Sequence, residues 1–254
     1  MKVCILASGS KGNCTYVETK THKVLIDLGT SSLACEKKLK EIGVDPSNID
    51  SILITHSHVD HISGIRVFVK KYNPNIYTTK KIYNEIKEIV MNANVIFLNE
   101  SFNLDELNID YFKTSHDTDD SVGYILEENG KSLVYVTDTG YINLKYLPKL
   151  RNKEIYILES NHDVEMLLDG SYPHNIKQRI LGDRGHLSNK DSAYYFSKLV
   201  GDKTHLLFLA HLSHENNTEE LAIKAYKEEL SKKNIDFNEI YIAKQSERSE
   251  LVEV

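Results

Sequence analysis

Three histidines and one aspartate crowd into the run Thr55-His56-Ser57-His58-Val59-Asp60-His61. Imidazoles packed this densely repel one another when protonated, so they need a partner that takes up their lone pairs. A metal ion does this. Imidazole suits Zn, Fe, Ni or Mn, and the carboxylate adds a harder donor. A polar loop that is merely rich in histidine is the competing reading, and the spacing His-x-His-x-Asp-His is far more specific than a lone His-x-His.

The segments on either side position these groups. Ser51-Ile52-Leu53-Ile54 is a short apolar run that reads as a buried strand, and 62–72 reads as a helix. The cluster therefore falls where a strand ends and a helix begins. His56 and His58 point the same way from an extended backbone, whereas Asp60 and His61 come after the chain has turned. Two pairs arriving from two directions suit two metal ions better than one.

Composition bounds the rest. The chain has 254 residues, 41% of them hydrophobic, enough for one large core and a single domain over 1–254. No apolar run is long enough for a transmembrane helix. The start, Met1 to Ala7, is too short for a signal peptide and runs into a glycine loop. Cys4, Cys14 and Cys35 lack metal-type spacing and read as core or helix residues of a reduced, cytoplasmic protein. The net charge of −6 argues against non-specific coating of nucleic acid. A polyanionic substrate must be met by a local basic patch and by the metals.

In chain order, strands are expected at 3–7, 14–19 and 23–27. The first two are joined by Ser8-Gly9-Ser10-Lys11-Gly12-Asn13. That loop could present backbone N–H groups to an anion, or could be a plain connection; its own residues leave both open. A helix at 33–42, a strand at 75–78, a helix at 80–91 and a strand at 95–97 follow. Residues 109–115 read as a strand ending at His116, and 123–128 with 132–137 as a hairpin around Asn129-Gly130, ending at Asp138. The strand at 155–158 leads into Glu159-Ser160-Asn161-His162-Asp163. Residues 164–187 look irregularly helical, 189–200 and 218–232 are helices, and strands at 205–210 and 240–243 complete the pattern. Strands followed by alternating helices and strands, twice over, imply an α/β fold in the form of a four-layer αββα sandwich.

His116, Asp138 and His211 each stand at the end of an apolar strand, as His56 does. Singly, such a residue is more often a satisfied surface histidine or a turn aspartate. Together with the cluster they complete two ligand sets.

On these residues the sequence resembles the metallo-β-lactamase fold superfamily over nearly its whole length. The resemblance implies one metal site from His56, His58 and His116, a second from Asp60, His61 and His211, and Asp138 bridging both. The implied cofactors are two divalent ions, Zn²⁺ or Mn²⁺. Common metallo-β-lactamases carry Cys where this chain has Asp138, and oxygen-reducing di-iron members carry Glu where it has His58. More narrowly the chain resembles bacterial exonucleases of the YycJ/WalJ type, through the 8–13 loop, Glu159-Ser160-Asn161-His162-Asp163, Gly185-His186-Leu187-Ser188-Asn189 and His211-Leu212-Ser213-His214-Glu215-Asn216-Asn217. His214 departs from the acidic residue usual in that family, which leaves the ligand set intact.

The resemblance implies a dinuclear phosphodiesterase, a 5′→3′ DNA exonuclease acting in repair or processing through a metal-bridging hydroxide. DNA 5′ ends are the implied partner. Asp60, as a ligand beside the hydroxide, and His186, as general acid, are the expected catalytic residues; His186 resembles the catalytic histidine of tRNA 3′-processing nucleases. Ser10 and Asn13 are candidate substrate contacts, and Asn161, His162 and Asp163 could either contact substrate or support the metal ligands from behind. Lys177, Arg179 and Arg184 could meet the DNA backbone or a 5′ phosphate, or form a solvated helix face. A small-molecule metallohydrolase, acting on a cyclic phosphodiester, thioester or lactone, is the alternative. The sequence leaves the oligomeric state open.

Overall fold

A computed structural model describes residues 1–99 and 101–254. Among these, fourteen strands form two sheets. The first contains β1 (Lys2–Ala7), β2 (Cys14–Glu18), β3 (Lys23–Ile26), β4 (Ser51–Leu53), β5 (Asn75–Thr78) and β6 (Val95–Phe97), with β14 (Val252–Glu253) on the outer side of β1. The second runs from β7 (Phe102–Leu104) through β8 (Leu107–Lys113), β9 (Val122–Glu128), β10 (Lys131–Val136), β11 (Ile155–Glu159) and β12 (Leu206–Ala210) to β13 (Ile240–Ile242). Each sheet begins with antiparallel hairpins and continues in parallel: β3 pairs in parallel with β4, and β10, β11, β12 and β13 pair in parallel in turn.

The helices are α1 (Ser32–Glu41), α2 (Val59–Ile62), α3 (Ile65–Tyr72), α4 (Lys80–Ile86), α5 (Leu147–Leu150), α6 (Val164–Asp169), α7 (His174–Leu181), α8 (Asn189–Leu199) and α9 (Glu219–Lys232). The continuous apolar runs of β10 and β11 are explained by burial on both faces. Leu133, Tyr135, Ile155 and Ile157 join the core shared by the two sheets. Their alternates Val134, Val136, Tyr156 and Leu158 pack with Phe196 of α8 and Tyr226 of α9. Each of these fully buried side chains contributes on the order of 2 kcal/mol. The result is the αββα sandwich.

Several elements differ from the sequence reading. The helix expected over 62–72 is broken at Ser63-Gly64 into α2 and α3. Gly64 donates its N–H to Leu28 O, and a Cβ there would lie 2.2 Å from Thr30 O, so the 28–32 segment packs into the break. The helix expected over 80–91 stops at Ile86, and the irregular stretch 164–187 resolves into α6, α7 and the loop carrying His186. The strand before His116 ends at Lys113. β7 and β14, of three and two residues, have no periodicity long enough to read.

Candidate metal centre

The ligand candidates gather at one edge of the sandwich, beyond the C-terminal ends of β4, β10 and β12. Three strand-end residues turn there with left-handed backbone: Asp27 (φ 58°), Asp138 (φ 55°) and His211 (φ 56°). Such a conformation is uncommon outside glycine, least so for Asn and Asp, and it persists where surrounding structure enforces it. His211 is held by Ser8, whose hydroxyl accepts its N–H at 2.8 Å, and by Asn161, whose amide donates to its carbonyl at 2.9 Å.

The cluster 55–61 is braced from behind. Asn13 N donates to Asp60 O at 2.7 Å, and Leu28 N to His61 O at 2.9 Å. Gly29 lies so close that a Cβ would fall 1.6 Å from Asp60 O. The glycine-serine loop thus serves the candidate site through its contacts to the 55–61 turn.

Four of the five candidate ligand histidines have one ring nitrogen hydrogen-bonded on the outside. His61 Nδ1 donates to Asp27 Oδ2 at 2.7 Å, and both side chains are fully buried. The same carboxylate accepts from the Thr55 hydroxyl at 2.8 Å, and that hydroxyl in turn accepts from His56 Nδ1 at 3.0 Å. His116 Nδ1 donates to Gly185 O at 3.2 Å, and His211 Nδ1 to Glu159 Oε1 at 3.1 Å. His58 is the exception: Asp117 Oδ1 lies 3.5 Å from its Nε2 and 3.4 Å from His116 Nε2 and makes no hydrogen bond to either. Outer partners of this kind fix ring orientation, so that the other nitrogen faces the centre.

Those inner nitrogens converge. His58 Nδ1 and His116 Nε2 lie 3.2 Å apart, and His56 completes a cluster with them in which one donor atom from each lies within 4.8 Å of the others. Asp60, His61 and His211 form a second such cluster. Asp138 touches both: Oδ1 is 3.8 Å from His116 Nε2 and 3.5 Å from His211 Nε2, and Oδ2 is 3.1 Å from His61 Nε2. His56 Nε2 and His211 Nε2 are buried without a hydrogen-bond partner, which a buried polar atom rarely tolerates. Converging ring nitrogens, orphaned polar atoms and a carboxylate between two clusters fit divalent cations.

Burial and the neighbouring carboxylates set the charge of these rings in opposite directions. Burial pushes His56 and His116 below the usual histidine range. Burial also opposes charge on His61, yet Asp27 and Asp138 outweigh it and raise its pKa to about 10. His211 is raised in the same way against its burial, by Asp138, Asp60 and Glu159. Glu159 is held down at about 2: its burial is overcome by His186 and His211.

His186 joins the centre from the other side. Its Nδ1 donates to Glu159 Oε1 at 2.7 Å, and its ring stacks on His211 with centroids 5.3 Å apart. The remaining candidates are more dispersed. Asn13 is buried, with Nδ2 2.9 Å from His61 Nε2. Asn161 braces His211 rather than facing outward. His162 is buried, burial lowers its pKa to about 4, and neither ring nitrogen has a partner. Ser10 is exposed on its loop, where its hydroxyl accepts from Gln245. Lys177 caps Leu168 O at 2.5 Å, Arg179 Nε donates to Asp117 Oδ2 at 2.5 Å, and Arg184 donates to the carbonyls of His116 and Thr118.

Sequence reasoning assigned no role to Asp27, Asp117 or Glu159. Asp27 and Glu159 carry the signal that exposed Asp138, an acid closing an apolar strand.

A family model described as the metallo-beta-lactamase superfamily matches residues 7–211, a span that contains every ligand candidate. This chain belongs to the metallo-beta-lactamase superfamily. Within it, the chain is 35% identical to "Exodeoxyribonuclease YycJ" of Bacillus anthracis over 93% of this chain and 92% of that one. It is 40% identical to "Exodeoxyribonuclease WalJ" of Streptococcus pneumoniae over 87% of this chain and 85% of that one. It therefore belongs to the YycJ/WalJ branch of the superfamily. The fold matches that of the metallo-beta-lactamase fold protein YhfI from Bacillus subtilis, with a TM-score of 0.73 at 17% identity over 98% of both chains. Among the described residues, no helix of this superfamily member is long and apolar enough to cross a membrane.

Proposed function

We propose that this chain is a dinuclear metal-dependent phosphodiesterase that removes nucleotides from DNA 5′ ends, acting as one domain. The observation that carries the reading is Asp138, whose carboxylate lies 3.8 Å from His116 of the first cluster and 3.1 and 3.5 Å from His61 and His211 of the second. A carboxylate so placed suits two ions better than one. The names of the YycJ and WalJ relatives support DNA as the substrate.

His56, His58 and His116 would hold one ion, Asp60, His61 and His211 the other, and Asp138 both, with Zn²⁺ or Mn²⁺ suited to the nitrogen and oxygen donors. Bound there, such ions acidify a water and polarise the phosphate oxygens. The protein supplies the rest. Asp27, Glu159 and Thr55 keep the ligand rings turned inward. His186, fixed through Nδ1 by Glu159, presents Nε2 as the group that protonates the leaving oxygen. Arg179 offers a guanidinium to a phosphate in place of Asp117.

The net charge of −6 favours a second reading, a hydrolase of small phosphodiesters, thioesters or lactones. Parallel assays on a 5′-phosphorylated oligonucleotide and on bis(p-nitrophenyl) phosphate separate the two. The nuclease reading predicts turnover of both. Turnover of the small ester without the oligonucleotide would move the assignment to the small-molecule hydrolase.

A further inference from the structure

A recess of about 400 Å³ lies beside the metal centre, at the seam between the two sheets. Its volume falls in the range of roughly 300–1,000 Å³ typical of small-ligand pockets. Ser8 follows β1, Leu212 follows β12 by one residue beyond His211, and Gln245 follows β13. β1 runs antiparallel to β2 and β2 to β3, so β1 points the same way as β3 and β4. β13 is parallel to β12. The recess is therefore built on the strand ends that form the metal-bearing edge. Ser8 ties the two together, since the hydroxyl that accepts from His211 N belongs to a wall of the recess.

The lining chemistry narrows the ligand. Leu212 and Ile242 offer apolar surface, and Gln245, His214 and Ser246 offer donors and acceptors. Charge does not favour a phosphate: Glu219 and Glu247 line the recess, and its lysine, Lys244, lies 3.3 Å from the Glu247 carboxylate. A flat heteroaromatic ring with a hydrogen-bonding edge suits such walls. We propose that the recess is a nucleobase subsite, holding the base of a nucleotide whose phosphate lies at the ligand cluster. This rests on the DNA-hydrolase reading and adds to it a contact with the base.

The test compares a 5′-phosphorylated single-stranded oligonucleotide with the same strand made abasic at its first two nucleotides. Bis(p-nitrophenyl) phosphate serves as a baseless control. Ser246→Trp fills the recess from an exposed position, and Gln245→Ala removes its amide. Wild-type protein is expected to favour the intact strand by about tenfold in kcat/KM, the scale of one well-made specificity contact. Both variants are expected to lose most of that preference. Equal rates on the two strands for wild type, or a preference unchanged in both variants, would overturn the subsite. Wild type that hydrolyses the small ester but neither strand would overturn the nuclease reading, and the subsite with it.

Discussion

Asp27 and His61 form a fully buried pair, Oδ2 accepting from Nδ1 at 2.7 Å, and Asp27 also takes hydrogen bonds from the backbone and hydroxyl of Thr55. One carboxylate thus orients both His61 and, through the Thr55 hydroxyl, His56. Asp27→Asn keeps the shape and removes the charge. Loss of such an outer partner typically costs about 10–100-fold in metal affinity. Competition with a chelator should show that loss with the fold retained by circular dichroism. Unchanged affinity would mean that the ring orientations are set elsewhere.

Glu159 joins His186 to His211, so the two histidines can be separated experimentally. His186→Ala should lower kcat by about 10²–10⁴, the usual worth of a general acid, and leave metal content unchanged. Glu159→Gln should lower kcat and also weaken metal binding through His211. If metal is lost from His186→Ala protein, His186 is a ligand and the assignment of roles is reversed.

Metal loading must compete with protons. Asp27 and Asp138 raise the His61 pKa to about 10, so in the metal-free protein this ring is protonated at neutral pH. A cation can bind its Nε2 only by displacing that proton. Affinity should therefore rise with pH between 6 and 8, by about tenfold per unit for each proton displaced. Titration calorimetry in two buffers of different ionisation enthalpy should show net proton release at pH 7. Affinity independent of pH would show that His61 is already neutral.

Gly29 is a steric requirement of the site. A methyl group there meets Asp60 O, which is backbone and cannot swing aside. Gly29→Ala should lower the melting temperature, with overpacking of this kind costing about 1–3 kcal/mol or more. It should also weaken metal binding, because Asp60 and His61 move with that backbone. A variant with wild-type stability and affinity would show that the 55–61 turn can shift freely.

Much of this arrangement was legible in the sequence because ligand chemistry is concentrated there. The cluster at 56–61 needs no alignment to read, and His116, Asp138 and His211 stand out as polar ends of apolar strands. Their outer partners were not legible. Asp27 and Glu159 each have an ordinary explanation as residues where a strand stops, and nothing in local spacing says which ring nitrogen they meet. The break between α2 and α3 was hidden for a related reason: it is imposed by the distant 28–32 segment packing at Gly64. The substrate contacts were the least legible. The residue type of Asn161 suits a substrate contact or a support for a ligand, and only its position against the His211 carbonyl favours the second, while the 244–247 segment beside Ser8 gives no local sign of lining a recess.

Asp138 is proposed to serve two ions in a DNA-cleaving site. The direct measurement is digestion of 5′-phosphorylated duplex DNA, labelled at either end, in Mn²⁺, with wild type beside Asp138→Ala and metal content measured on both. Stepwise nucleotide release from the 5′ end by wild type only, with metal lost from the variant, is the predicted result. An Asp138→Ala protein that retains both metal and cleavage, or a wild type that binds two ions and leaves the DNA intact, would contradict it.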